Sequence, residues 1–268
     1  MIVVTGATGT IGRALIKELG STARAVVRRA EQGPELGCDY VVGDLERPET
    51  IPLEPGDRLF LNSSLWPGFV RAHQAVIYRA AAVGVAQVVT VSVYGVTSGS
   101  LLGFGLHGQV DRHLKASGVP WSILAPVGYM QNLAGEIDEE GRIFGSYGSG
   151  GVGYIDAHDV AAVAAALLTR PVGADTTYDL TGPVAPTHDE VAAELTRALG
   201  RTVRYVDLPV EEAATHLEKR GMPAEAARDL AELMSQIGDG RWANTTTTVT
   251  DLLGRPPRSL REFLAFLA

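Results

Sequence analysis

The sequence has a single cysteine, Cys38, so no internal disulfide can form. A disulfide-stapled scaffold is excluded, and a lone thiol suits a reducing compartment, which makes a cytoplasmic location the expectation. No apolar run approaches the roughly 20 residues that cross a bilayer. No basic, hydrophobic leader precedes the first β-branched run, which begins at Met1. Neither a cleavable signal nor a membrane partner is therefore expected. Basic charge is scarce too, with 23 Lys and Arg against 31 Asp and Glu and a net charge of −8. The deficit is local: residues 1–134 carry 11 basic and 10 acidic side chains, residues 135–268 carry 12 and 21. Without a basic stripe the chain cannot neutralise a phosphate backbone, which argues against nucleic acid as a direct partner. The acidic second half reads as solvated surface.

What is present is an ordinary α/β composition, 46% hydrophobic and 20% charged over 268 residues. That length suits one large domain, or one with a small appendage. The organising stretch comes first. Met1-Ile2-Val3-Val4-Thr5 is a strand, Gly6-Ala7-Thr8-Gly9-Thr10-Ile11-Gly12 a glycine turn, and Arg13–Leu19 a helix stopped by Gly20. Strand, glycine turn and helix form the context a phosphate-binding loop requires. Gly6 supplies the tight turn, Gly9 lets backbone approach a pyrophosphate, and Gly12 lets helix and strand close up. The helix start offers free N–H groups to the phosphates. Thr8, Thr10 and Ile11 complete the candidate loop, and an ordinary βα turn is the alternative.

Strand and helix then alternate. Ala23–Val27 is the second strand and ends at Arg28-Arg29, where an NAD site places an acid for the ribose hydroxyls. Two guanidinium groups there suit the 2′-phosphate of NADP, while an exposed basic turn is the plainer reading. Tyr40–Val42 is the third strand, followed by Gly43-Asp44-Leu45, where Asp44 can cap a short helical turn. Arg58–Leu61 is the fourth, and ends in Asn62-Ser63-Ser64, polar residues that either meet a ligand or cap the helix after Pro67. Gln87–Val91 is the fifth, left through Ser92-Val93-Tyr94-Gly95. A helix over about His107–Ser117 and a sixth strand, Trp121–Leu124, follow.

The sum is a Rossmann-type doubly wound parallel sheet, with its site along the carboxyl ends of the strands. It covers residues 1–134, with contributions from about 154–182. Residues 135–268 are expected to form a smaller C-terminal α/β lobe over the substrate, sharing the core. Five glycines between Gly145 and Gly153 suggest a lid or a tight series of turns. Thr187/Glu190 and Ser259/Glu262 are capping boxes, and no metal-ligand spacing is found.

Taken together, these landmarks resemble the NmrA-like branch of the atypical short-chain dehydrogenase/reductase superfamily. The likeness is nearest to its NAD(P)H:quinone oxidoreductase type 2 and triphenylmethane reductase subgroup. It rests on Val4–Gly12, Arg28, Gly43-Asp44-Leu45, Lys115–Trp121, Tyr129–Asn132, Asp156–Ala161 and Leu253–Arg258. It implies an NADPH-dependent oxidoreductase, with Asp44 and Leu45 at the adenine and His107 near the nicotinamide ribose. The sequence departs from the superfamily at its acid–base pair. His107 stands where the catalytic Lys would fall and Gly103 where the Tyr would.

Ser92, Tyr94 and His107 remain as candidate catalytic groups, with His107 able to hold the ribose or donate a proton near neutral pH. A quinone relaxes the need for an acid, because solvent can protonate its delocalised oxyanion. The expected activity is hydride transfer from NADPH to a quinone or a similar conjugated small molecule. A non-catalytic NADP-binding sensor and an isomerase or tailoring enzyme stay open as alternatives, as do a homodimer and a regulatory protein partner.

Overall fold

The computed structural model describes residues 1–97, 99–101 and 103–266, with only the backbone of Arg241. The chain divides into two compact units: Met1–Pro126 with Ala157–Asp179, and Val127–Asp156 with Leu180 onward.

The first unit opens with strand β1 (Ile2–Val4), helix α1 (Thr10–Leu19), β2 (Ala23–Val27), β3 (Asp39–Val42) and β4 (Arg58–Leu61). Helix α2 (Phe69–Val83), β5 (Gln87–Val91), α3 (Phe104–Lys115) and β6 (Trp121–Pro126) follow. The short α4 (Met130–Leu133) and β7 (Arg142–Gly145) belong to the second unit. The chain then returns to the first with α5 (Ala157–Thr169) and β8 (Thr176–Leu180). Seven strands make one sheet in the order β3-β2-β1-β4-β5-β6-β8. The registers from β3 to β6 are all parallel.

Parallel pairing follows from the sequence. β-Branched runs buried on both faces alternate with crossover segments that cover them. From β1 the sheet grows outward on both sides, to β2 and to β4, so the crevice for a ligand opens at the carboxyl end of β1. Beneath it lies a core of Val3, Ile51, Leu59, Leu61, Val76 and Ile123, among others. Each such side chain contributes about 1.5–3 kcal/mol by leaving water. The alanines of α5 allow close approach, and Val160, Ala161, Val163 and Ala164 are buried. Arg58 donates to the carbonyls of Leu168 at 2.8 Å and Arg170 at 2.6 Å, which satisfies the end of α5.

The second unit adds α6 (His188–Leu199), β9 (Arg204–Asp207), α7 (Val210–Lys219), α8 (Ala224–Gln236), α9 (Thr248–Leu253) and α10 (Leu260–Ala265). β7 and β9 pair in parallel. Both capping boxes form, at Thr187/Glu190 and Ser259/Glu262. Helices α7 and α8 meet through Ala213, Ala214 and Ala231.

One expectation changes. Helix α3 begins at Phe104 rather than near His107, which puts His107 inside its first turns. In the glycine stretch the structure shows a turn at residues 148–149 and closely packed backbone beside it. A Cβ at Gly150 would sit 2.5 Å from Gly238 Cα, and one at Gly151 2.4 Å from the Ala185 carbonyl oxygen. At these two positions neighbouring backbone leaves no room for a side chain, while Gly148 has φ +53° and open space around it.

Candidate active site

The loop after β1 takes its shape from three glycines with different reasons to be glycine. Gly6 has φ +62°, the left-handed region, and its carbonyl accepts from the Gly9 amide at 3.0 Å. At Gly12 a Cβ would lie 2.2 Å from the Gly6 carbonyl oxygen and 2.8 Å from Ala7 Cα, so that glycine serves the fold. At Gly9 a Cβ would meet only the Gly6 oxygen, at an ordinary 3.4 Å, and the backbone there is extended with φ −80°. Among the described residues nothing crowds position 9 enough to require glycine. No side chain caps α1, so the amides of its first turn face outward past an exposed Gly9 and Thr10. Thr8 is half-buried and its carbonyl accepts from Arg13 Nε, while Ile11 is also half-buried.

Parallel register brings the other strand ends to the same edge. Thr5 Oγ1 donates to the carbonyl of Asn62 at 2.9 Å, and the Asn62 side chain stands beside Gly6. Ser63 Oγ lies 3.3 Å from His73 Nε2, and Ser64 is exposed. None of the three caps α2, whose N-cap is Gly68. Next to the loop, β2 ends in exposed Arg28 and Arg29. Arg29 pairs with Glu31 at 3.1 Å, while Arg28 has no ion-pair partner among the described residues. Asp44 does cap a turn: its Oδ1 accepts from the Glu46 amide at 3.0 Å, and Leu45 packs on the core.

Beyond β5 the polar groups separate in role. Tyr94 is half-buried, its amide bonded to the Pro126 carbonyl at 3.0 Å. A ring N–H of His107 donates to the Val91 carbonyl, and the ring lies edge-on to Phe69 at 4.9 Å. Burial pushes its pKa down to about 4. The imidazole is therefore neutral at pH 7, with one nitrogen a donor and the other able only to accept. Such an imidazole does not suit the expected role of a proton donor near neutral pH. Ser92 is buried and donates to Asp111 Oδ2 at 2.5 Å. Desolvation lifts Asp111 to about 6, against the Ser92 bond and the Lys115 charge. Asp111 was not singled out from the sequence, since only a hydroxyl 19 residues away makes it part of the site. The place of the missing phenol holds no side chain: Gly103 stands there, covered by the exposed Leu65, whose Cδ1 would lie 2.1 Å from a Cβ at Gly103.

Comparison with known families agrees with this geometry. A family model described as NAD(P)H-binding matches residues 6–171. The chain belongs to the NAD(P)H-binding family. Over 98% of its length it is 36% identical to an NAD(P)H azoreductase of Xenophilus azovorans, covering 96% of that protein. Over 99% it is 34% identical to a (4-alkanoyl-5-oxo-2,5-dihydrofuran-3-yl)methyl phosphate reductase of Streptomyces griseus, 97% of which is covered. Among solved structures, an NADPH-dependent quinone oxidoreductase of Escherichia coli, complexed with NADPH, superposes with a TM-score of 0.87 at 27% identity. It covers 100% of this chain and 99% of its own.

The site of this NAD(P)H-binding protein fits the dinucleotide on its own evidence. Gly9 is a glycine that only an outside group would require, and it faces the uncapped start of α1. Among the described residues no cluster of His, Cys, Asp and Glu could hold a metal, and no helix is long and apolar enough to cross a membrane.

Proposed function

We propose that the protein transfers hydride from NADPH to a quinone or a similarly conjugated small molecule, including azo compounds. As a member of its family and a full-length relative of reductases, it is an NAD(P)H-dependent oxidoreductase. The observation that carries the choice of acceptor is the absence of an acid where a ketone would need one. Leu65 fills the space beside Gly103, and neutral His107 has no proton to give. An acceptor whose reduced form is a delocalised anion can take its proton from water. The bound cofactor supplies the hydride. The chain supplies placement, which converts an encounter into a near-unimolecular step.

In this reading the amides at the start of α1 hold the pyrophosphate, and Arg28 with Arg29 holds the 2′-phosphate. The unprotonated nitrogen of His107 accepts a bond from a ribose hydroxyl. Asn62 and Asp44 stand at the edges of the cleft, and a reducing cytoplasm suits the lone Cys38. Following NADPH oxidation with a panel of quinones, azo compounds and simple ketones tests the proposal. Turnover of the first two without the third is expected, and turnover of ketones alone would overturn it.

Cofactor choice gives a second expected result. Arg28→Ala should weaken NADPH binding by ~1.5–3 kcal/mol, roughly ten- to a hundred-fold, because a charge-assisted phosphate contact is lost. NADH binding should hardly change. Equal affinity of the parent protein for both cofactors would remove the basis of this assignment.

His107 gives a third. His107→Ala should lower kcat with a quinone by on the order of a hundred-fold, more than it weakens NADPH binding, since a misplacement of about 1 Å suffices for that. The sign of the pH effect follows from the lowered pKa. His107 stays neutral above about pH 4, so the parent rate should show no inflection from an imidazole near pH 6.5. An inflection there that vanishes in His107→Ala would restore His107 as a proton donor.

A further inference from the structure

Two side chains one turn apart on α3 fasten to consecutive residues at the end of β5. His107 donates to the carbonyl of Val91, and Asp111 accepts from the hydroxyl of Ser92 at 2.5 Å. Both members of the second bond are buried, Ser92 with 3% and Asp111 with 9% of its surface exposed. A carboxylate at such a place is costly unless it is bonded. The Lys115 charge favours the carboxylate, but its ammonium lies over the Trp121 ring at 5.4 Å, and the short bond of Asp111 is the one to Ser92. Val110 and Leu114 already pack α3 on the core. An apolar side chain at 111 would add to that packing at less cost. What the carboxylate adds is direction: one short bond to one hydroxyl on the strand that carries the site.

The start of α3 has reason to need it. Gly105 and Gly108 lie on either side of His107, and glycine is a poor helix former. The N-cap, Gly103, has no side chain to cap the first turn. The segment that bears His107 is thus held by tertiary bonds more than by its own helical preference.

We infer that Asp111 is a positioning residue of the reductase site, which through its bond to Ser92 holds the first turns of α3 and thereby His107 in register with the end of β5. The inference rests on the reading of His107 as the ribose contact. Asp111 itself touches no reacting atom.

The test compares Asp111→Ala, Asp111→Asn and Ser92→Ala with the parent. In ligand-free protein, the ring nitrogen signals of His107 and the exchange rates of the amides of residues 104–108 are read by NMR. Asp111→Ala and Ser92→Ala should both shift the His107 signals and speed exchange at 104–108 by about tenfold or more, the range expected for losing one buried bond. Asp111→Asn keeps an acceptor for Ser92 and should restore both. With a quinone and NADPH, kcat should fall by about tenfold in Asp111→Ala, with little change in KM, and return in Asp111→Asn. If Asp111→Ala fails to fold, Ser92→Ala breaks the same bond and carries the same readout. Unchanged His107 signals and unchanged exchange in Ser92→Ala would overturn the inference. A parent protein without quinone turnover would overturn the proposed function instead, and the NMR measurements would still decide the role of Asp111.

Discussion

Gly9→Val should lose NADPH affinity by on the order of a thousand-fold, about 4 kcal/mol, while keeping the thermal unfolding temperature of the parent. The expectation comes from the contrast between two glycines of one loop. At Gly9 the first atom of a side chain meets nothing of the protein closer than 3.4 Å, and φ of −80° suits any residue. The branched chain therefore projects only into the space where a pyrophosphate would approach the amides of α1. At Gly12 the same atom would overlap the Gly6 carbonyl at 2.2 Å, and backbone cannot give way as the end of a side chain can. Gly12→Val should therefore destabilise or unfold the first unit whether or not a cofactor is present. Binding by fluorescence titration, set beside circular dichroism melts, separates the two. Micromolar NADPH binding by a folded Gly9→Val protein would show that the loop is only a turn.

The second large effect lies in the other unit. Asp156 is fully buried, and its two oxygens are bonded to different partners. Gln131 Nε2 donates to Oδ1 at 2.6 Å, and the Arg258 guanidinium pairs with Oδ2. Removing a charged partner from a buried carboxylate costs ~3–5 kcal/mol, far more than the net worth of the intact pair. The Arg258 side chain is about one-third exposed, so solvent screens part of this and the lower end applies. Arg258→Ala should thus lower stability by about 3 kcal/mol, a large share of the ~5–15 kcal/mol typical of a domain. Adding Asp156→Asn should recover much of the loss, because the stranded charge goes with it. Urea unfolding of the two single variants and the double variant checks this. A loss below about 1 kcal/mol in Arg258→Ala would place the pair among ordinary surface ion pairs.

The sequence made the first unit legible because its signals are local. Each β-branched run, the glycine turn after β1 and the stop at Gly20 can be read within a few residues. The strand ends followed, and with them Arg28, Asp44, Asn62 and Ser92 on one edge. What could not be read depends on distant partners. Asp111 looks like any polar residue of a helix until Ser92 is found against it, and the charged partner of Asp156, Arg258, lies 102 residues later. His107 was located, but its protonation depends on burial beside Phe69 and on the Val91 carbonyl, neither of which is written in its neighbours. The strand β7 was missed because four residues, Arg142–Gly145, carry too short a pattern without their partner β9. The glycines of residues 145–153 left a lid and a tight series of turns open, because a glycine required by close backbone, as Gly150 and Gly151 are, and a glycine in an open loop read alike.

The return of the chain to the first unit through α5 and β8 has a consequence for how the protein comes into being. When β6 has left the ribosome, six strands and the cofactor loop exist, but α1 still lacks the alanine-rich face of α5 that packs on it. Arg58 likewise waits for the carbonyls of Leu168 and Arg170. Thirty residues of the other unit, Val127–Asp156, must be synthesised before the missing helix arrives. A nascent chain that ends anywhere in that interval shows an apolar flank on α1, a ready site for a chaperone or for self-association. Helix α1, which begins at the phosphate loop, thus gains its packing against α5 only after that interval.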